Sequence, residues 1–183
     1  MSFKKVGVTA MLVFFIAGCG NQYMRKPAAC PEIKADQSKA TLVIYRTTSF
    51  GWVKEIHNYL DKAYIGTTKG KCFFATKVDP GSHYVIADAE NKACAKINFE
   101  AGKVYYLCQS IFIGVWSART GFTPGTLKEF EEQQKEMDCL IVNTEEKAPV
   151  LGDKDYKETV ADFEKEEKED PKKHEDTDHL QGF

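Results

Sequence analysis

Between Lys71 and Gly114 the chain reads KCFFATKVDPGSHYVIADAENKACAKINFEAGKVYYLCQSIFIG. Apolar runs rich in Val, Ile, Phe and Tyr follow one another here. The joints hold Asp79-Pro80-Gly81-Ser82, Glu90-Asn91-Lys92 and Ala101-Gly102. Runs of this kind, broken by turn residues, predict an antiparallel meander. Pro80 presets φ for the second position of a tight turn, and Gly81 and Gly102 can take the positive φ that most residues resist. A sheet with one apolar face must bury it, so the flanking segments are expected to supply a second layer.

Those segments carry strand patterns of their own. Ala40–Arg46 (ATLVIYR) is a β-branched run and the first strand expected of the domain. Ile56–Leu60, then Asp61-Lys62, then Ala63–Gly66 predicts a hairpin. Phe50 to Lys54 fits neither pattern. Six or seven strands over about 75 residues match the spacing of a β-sandwich. Alternation places Ala93, Ala95, Ile97 and Phe99 inward and Cys94, Lys96 and Asn98 outward. Val104 to Ile113 is apolar on both faces, as a central strand requires.

After the sheet, a helix is expected near 124–137. Pro124 suits a first turn, Thr126 with Glu129 matches a capping box, and Leu127, Phe130, Gln134 and Met137 fall on one stripe. Leu140–Val142 predicts a last short strand that brings Cys139 into the fold. From Thr144 the composition turns to Lys, Glu and Asp; residues 145–183 hold fourteen acids against seven lysines. The overall charge of −2 therefore averages a tail of −7 with a remainder near +5. Tyr156, Val160 and Phe163 share a helical stripe, so Lys154 to Lys168 predicts a marginal helix. The rest of 144–183 reads as a solvated, largely disordered tail, or as a contact arm for a basic partner.

At the other terminus, Lys4 and Lys5, an apolar run from Val6 to Ile16 and small residues make a secretory signal over residues 1–18. At 1.5 Å per residue the run is too short for a bilayer of about 30 Å. Ile16-Ala17-Gly18-Cys19 resembles the lipobox of bacterial lipoproteins. That resemblance implies that Cys19 becomes the first mature residue, with a thioether-linked diacylglycerol and an acylated amine. Gly20 stands where an Asp would signal retention in the inner membrane. The resemblance thus implies an outer-membrane anchor facing the periplasm. Residues 19–39, polar with Pro27 and Pro31, read as a tether that lifts the folded part off the bilayer.

The order ATLVIYR, YLDKAYIG, VDPGSHYV, FEAGKVYYL resembles the bacterial lipoproteins grouped as domain of unknown function 2846, over roughly Thr41 to Ile113. It implies a small PEGA-like β-sandwich, here residues 40–143, and no catalytic signature. The fold class expected is therefore mainly β: a small antiparallel sandwich with one C-terminal helix, between a signal peptide and a charged tail.

Six cysteines in an exported chain suggest disulfides. With Cys19 lipidated, Cys30, Cys72, Cys94, Cys108 and Cys139 remain, an odd number. A bridge within the sheet, joining Cys94 to Cys72 or Cys108, is expected. No Cys-x-x-Cys and no paired His marks a metal site, and no cofactor motif occurs. His57 and His83 sit near turns and read as satisfied surface groups, and His174 and His179 as solvated. Cys108 with His83 makes a nucleophile only on paper. Tyr105 and Tyr106 are expected to pack in a strand. No basic patch points to nucleic acid. The function expected is that of a non-catalytic, membrane-anchored envelope module. Its partners are lipid through Cys19 and another envelope protein, or alternatively peptidoglycan or a glycan; an enzyme is the third class.

Overall fold

The computed structural model describes residues 21–49, 54–113, 118–170 and 182. The signal segment and Cys19 lie outside the described residues, as do 50–53 within the ambiguous stretch and His174 and His179 in the tail. In chain order the elements are β1 Met24–Arg25, β2 Ala40–Arg46, β3 Ile56–Leu60, β4 Ala63–Thr68, β5 Cys72–Val78, β6 Gly81–Asp88, β7 Lys92–Phe99, β8 Val104–Ile113, β9 Ala118–Gly125, α1 Leu127–Gln134, β10 Asp138–Cys139, β11 Ile141–Val142 and α2 Asp153–Glu169. The expected first strand and the Asp61-Lys62 hairpin are both present. Asp61 at the hairpin tip has φ 53°, and Gly81 and Gly102 take φ of 129° and 81° at their turns.

The strands form a sandwich of a five-stranded sheet, β10-β5-β2-β8-β9, and a four-stranded sheet, β4-β3-β6-β7. A small third sheet pairs β1 with β11. The expected meander is divided between the two sheets. Only β6 and β7 remain a hairpin; β5 and β8 flank β2 in the first sheet, antiparallel and parallel respectively. The physical reason is the burial of β2, which is buried at all seven positions and needs a neighbour on each side as well as cover above and below. Val104–Ile113 is a central strand, as its apolarity on both faces predicts.

The two sheets meet through Leu42, Ile44, Phe74, Leu107 and Tyr105 on one side and Ile65, Val85, Ala95, Ile97 and Phe99 on the other. Each fully buried Leu, Ile or Phe contributes about 1.5–3 kcal/mol. The outer face of the first sheet is apolar too. Val43, Tyr45, Phe73 and Tyr106 lie under Phe130 of α1, whose ring stands 5.1–5.6 Å from those of Phe73, Tyr106 and Tyr45. The capping box is formed: Thr126 accepts from the Glu129 N–H at 3.2 Å, and the Thr126 N–H donates to the Glu129 carboxylate at 2.9 Å. Phe130 and Met137 of the expected stripe are buried, while Leu127 stays exposed. Pro124 pairs with Leu107 in β9 rather than opening the helix. An edge strand tolerates a residue without an N–H.

Beyond the second sheet, Tyr59 and Ile86 pack against Leu151, with Tyr156 and Val160 beside them. Phe163 of α2 stands edge-to-face with Tyr84 at 6.2 Å. The marginal helix expected from Lys154 to Lys168 is thus a packed fourth layer. The molecule is helix, sheet, sheet, helix.

The stretch expected to be a tether is bound to the domain from Asn21 onward. Met24 is 5% exposed and joins the inter-sheet core, Lys26 pairs with Asp138 at 2.7 Å, and Ile33 packs on the outer face of the first sheet. Cys30 is bonded to Cys139, with Cα atoms 5.9 Å apart. This replaces the expected bridge, because Cys72, Cys94 and Cys108 are free thiols. Cys94 belongs to the other sheet. Cys72 and Cys108 are separated by β2, a span of about 10 Å, beyond disulfide reach.

The Cys30–Cys139 bond closes 109 residues of chain, so Cys139→Ser should lower the unfolding free energy by about 3 kcal/mol. Chemical denaturation with and without reductant measures this. Equal stability in both conditions would show that the bond does not hold the strap.

Candidate functional site

Three segments far apart in sequence converge at the side of the sandwich where β7 and β9 are the sheet edges. Asn91 ends the turn before β7, and its side-chain amide pairs with the backbone of Thr120 in β9, donating at 3.1 Å and accepting at 2.7 Å. One amide thereby satisfies both polar groups of an edge residue, as a neighbouring strand would. Over this seam lies α2. Asp155, Glu158 and Asp162, spaced three and four apart, share one helix face. Tyr156, Val160 and Phe163 take the face that meets the sheet. Between α2 and the two edges is a cleft of about 620 Å³, lined by those carboxylates, by Lys92 and Arg119, and by Phe122.

Polar contacts tie α2 down. Lys62 reaches Asp153 at 2.9 Å, the Tyr84 hydroxyl donates to Glu164 at 2.7 Å, and Lys92 lies 3.5 Å from Asp88 and 3.6 Å from Asp155. The Tyr84 phenol is held above its ordinary range, by burial first and then by the Glu164 carboxylate. A cleft of this size, with an acidic wall and two cationic groups, can hold a ligand by charge and shape. Cys94 is the thiol at its base. Burial pushes that thiol up to about 12, with the Asp61 and Glu164 carboxylates adding to the effect, so it is protonated and a poor nucleophile. Burial likewise raises Cys72, to about 11, and Cys108.

Both described histidines have hydrogen-bond partners within the fold. His83 has Nδ1 2.8 Å from Asp61 Oδ2 and Nε2 3.1 Å from the Asp79 carbonyl, so both nitrogens are engaged in fixing turns. Cys108 is on the first sheet and His83 on the second, and the paper pair is not assembled. His57 Nδ1 lies 2.8 Å from Thr67 Oγ1. Tyr105 is buried between the sheets and its hydroxyl accepts from the Glu100 N–H at 2.9 Å; Tyr106 packs on Phe130. Among the described residues no group of three or more His, Cys, Asp or Glu is arranged to hold a metal ion. No described helix is long and apolar enough to cross a membrane.

Sequence reasoning missed the cleft, the Asn91 clamp and a polar node inside the sandwich. In that node Gln109 of β8 donates to Asn58 of β3 at 2.8 Å and accepts from Thr68 of β4. All three are buried, so the bonds offset a desolvation penalty and fix one sheet against the other. The Tyr156, Val160, Phe163 stripe was the available signal for the cleft's outer wall.

Two tests follow from these contacts. Phe163 is 4% exposed, so Phe163→Ala should cost about 3 kcal/mol locally and loosen α2. Cys94 should then react with a thiol reagent far faster than in the parent, while Cys72 and Cys108 stay slow. Peptide mapping of the labelled thiols decides. Burial also holds the His57 imidazole below its ordinary value of 6.5. The fold favours the neutral ring, so the unfolded chain binds more protons as pH falls below about 6.5, and stability drops between that point and the folded pKa. Denaturation midpoints at about pH 7 and about pH 5 should differ less in His57→Gln than in the parent.

No curated protein and no solved structure matches the chain. A family model described as "Protein of unknown function (DUF2846)" matches residues 36–122, which run from the turn before β2 into β9. The match holds both sheets of the sandwich except β10, and ends before α1, the bonded Cys139 and α2. Through residues 36–122 the chain belongs to the DUF2846 family.

Proposed function

We propose that this is a lipid-anchored protein of the bacterial cell envelope, whose sandwich serves as a non-catalytic binding or structural module in the periplasm. The observation that carries this reading is Ile16-Ala17-Gly18-Cys19 directly behind the Val6 to Ile16 apolar run. Small residues before the cysteine admit the backbone to a signal peptidase, and the thiol is the nucleophile that accepts the diacylglycerol. Stable anchoring takes more than one acyl chain, at about 0.8 kcal/mol per buried CH₂. The Cys30–Cys139 bond supports an oxidising compartment.

The binding role is supported by the cleft under α2. Its acidic wall of Asp155, Glu158 and Asp162 suits a cationic segment of another envelope component. The Cys94 thiol beside it is held protonated, and the rings of His57 and His83 are engaged with Thr67 and with Asp61 and the Asp79 carbonyl, which favours binding over nucleophilic chemistry. Every aromatic ring whose exposure is described is buried or half-buried. That gives a glycan-stacking alternative less support than a charged partner.

Cys19→Ser should leave the precursor unprocessed and unlabelled by a radioactive fatty acid. A variant still labelled and sorted like the parent would remove the anchor. Affinity capture from detergent-solubilised envelopes should recover a basic partner with the parent and lose it with Asp155→Asn/Glu158→Gln/Asp162→Asn. Recovery unchanged by the triple substitution would separate the cleft from binding.

A further inference from the structure

Resting on the lipidation of Cys19, we infer that the protein has no leash: the end of the sandwich formed by Asn21, His57 and Thr67 is held against the lipid headgroups, and the Gly81 and Gly102 turns point away from the bilayer.

The argument is one of reach. Cys19 and Asn21 are two Cα steps apart, at most about 7.6 Å. Asn21 is already fixed to the domain. Its side-chain amide donates to the Thr67 carbonyl at 3.2 Å, and its Oδ1 accepts from the Tyr23 N–H at 3.1 Å. Tyr23 packs edge-on against His57 at 5.5 Å and Tyr64 at 6.3 Å. Asn143 holds the same segment from the far side, donating its N–H to the Tyr23 carbonyl at 2.8 Å and its amide to the Gln22 carbonyl at 3.0 Å. Met24 is in the core, and β1 pairs with β11. The chain therefore has no slack with which to stand the domain off. A thioether lipid on Cys19 places its glycerol at the headgroup level, and the Thr67 end follows.

The strand register fixes what lies far away. His57 pairs with Asp88 at one end of β6, and Gly81 is at the other, about 23 Å along the strand. Gly102 closes the turn before β8 at that same distant end, since Gly81 pairs with Phe99, the last residue of β7, and β8 begins at Val104. The near end has one further property. Lys54, Ile111 and Arg119 line a small pocket there with Ile56.

The test uses the lipidated full chain in phosphatidylcholine nanodiscs containing a lipid with a nitroxide on its headgroup. Amide NMR signals of His57, Thr67 and Lys69 should lose most of their intensity, while those of Gly81, Gly102 and Lys103 keep theirs. A flexible Gly-Ser insertion of about twelve residues between Gly20 and Asn21 should restore the first group without releasing the protein from the disc. Equal broadening at both ends in the parent, or a pattern unchanged by the insertion, would overturn the orientation while leaving the anchor intact. A chain that carries no lipid and fails to partition with the discs would overturn the anchor, and the orientation with it.

Discussion

A strand buried on both faces needs two covers, and β2 imposes that demand on the whole molecule. All seven of its residues are buried. Leu42 and Ile44 face the second sheet, while Val43 and Tyr45 face away from it. A two-layer sandwich would leave that second set wet, so a helix has to lie over it. The second sheet repeats the problem with Tyr59 and Ile86, and α2 answers it. The four layers follow from apolar outer faces on both sheets, not from the helices' own propensity. Helices this short or this charged are marginal in water without an apolar face to dock.

The sides of the sandwich need separate treatment, because open sheet edges invite pairing with other chains. On the β4 side the chain's own β1 and β11 fill in, with Met24 reaching the core. On the β7 and β9 side no strand is added among the described residues. The Asn91 amide takes the place of one at Thr120, and Pro124 removes an N–H from β9. This unequal closure is what leaves room for the cleft, with α2 bridging above it.

Much of this was legible in the residues, and what was not has definite physical causes. Ala40–Arg46, the Asp61-Lys62 hairpin and the inward set Ala95, Ile97 and Phe99 follow from period-two patterning and turn chemistry, which are local. The Thr126–Glu129 cap is local as well. Which sheet a strand joins is decided by distant partners, so β5, β6, β7 and β8 read as consecutive neighbours when only β6 and β7 are. The Tyr156, Val160, Phe163 stripe announced α2, but net charge hid that it docks, since few apolar residues among many acids suffice to hold it on the sheet. The thiols near one another in sequence drew the expected bridge. The real pair joins Cys30 to Cys139 across nearly the whole domain, and nothing in their spacing announces it. The cleft draws on residues near 91, 120 and 155–162, and no local window contains it.

The Cys30–Cys139 bond also sets how the molecule answers a pull. Tension arriving at the start of the described chain would first peel Asn21–Arg25, whose β1 pairing is only two residues long. It would then meet a covalent stop at Cys30, and the load would divide between β10 and the run leading into β2. Unravelling from that end is arrested with only Met24 drawn out of the inter-sheet core. With the sulfurs reduced, the same pull would run on to Ala40 and draw directly on the strand that everything else encloses.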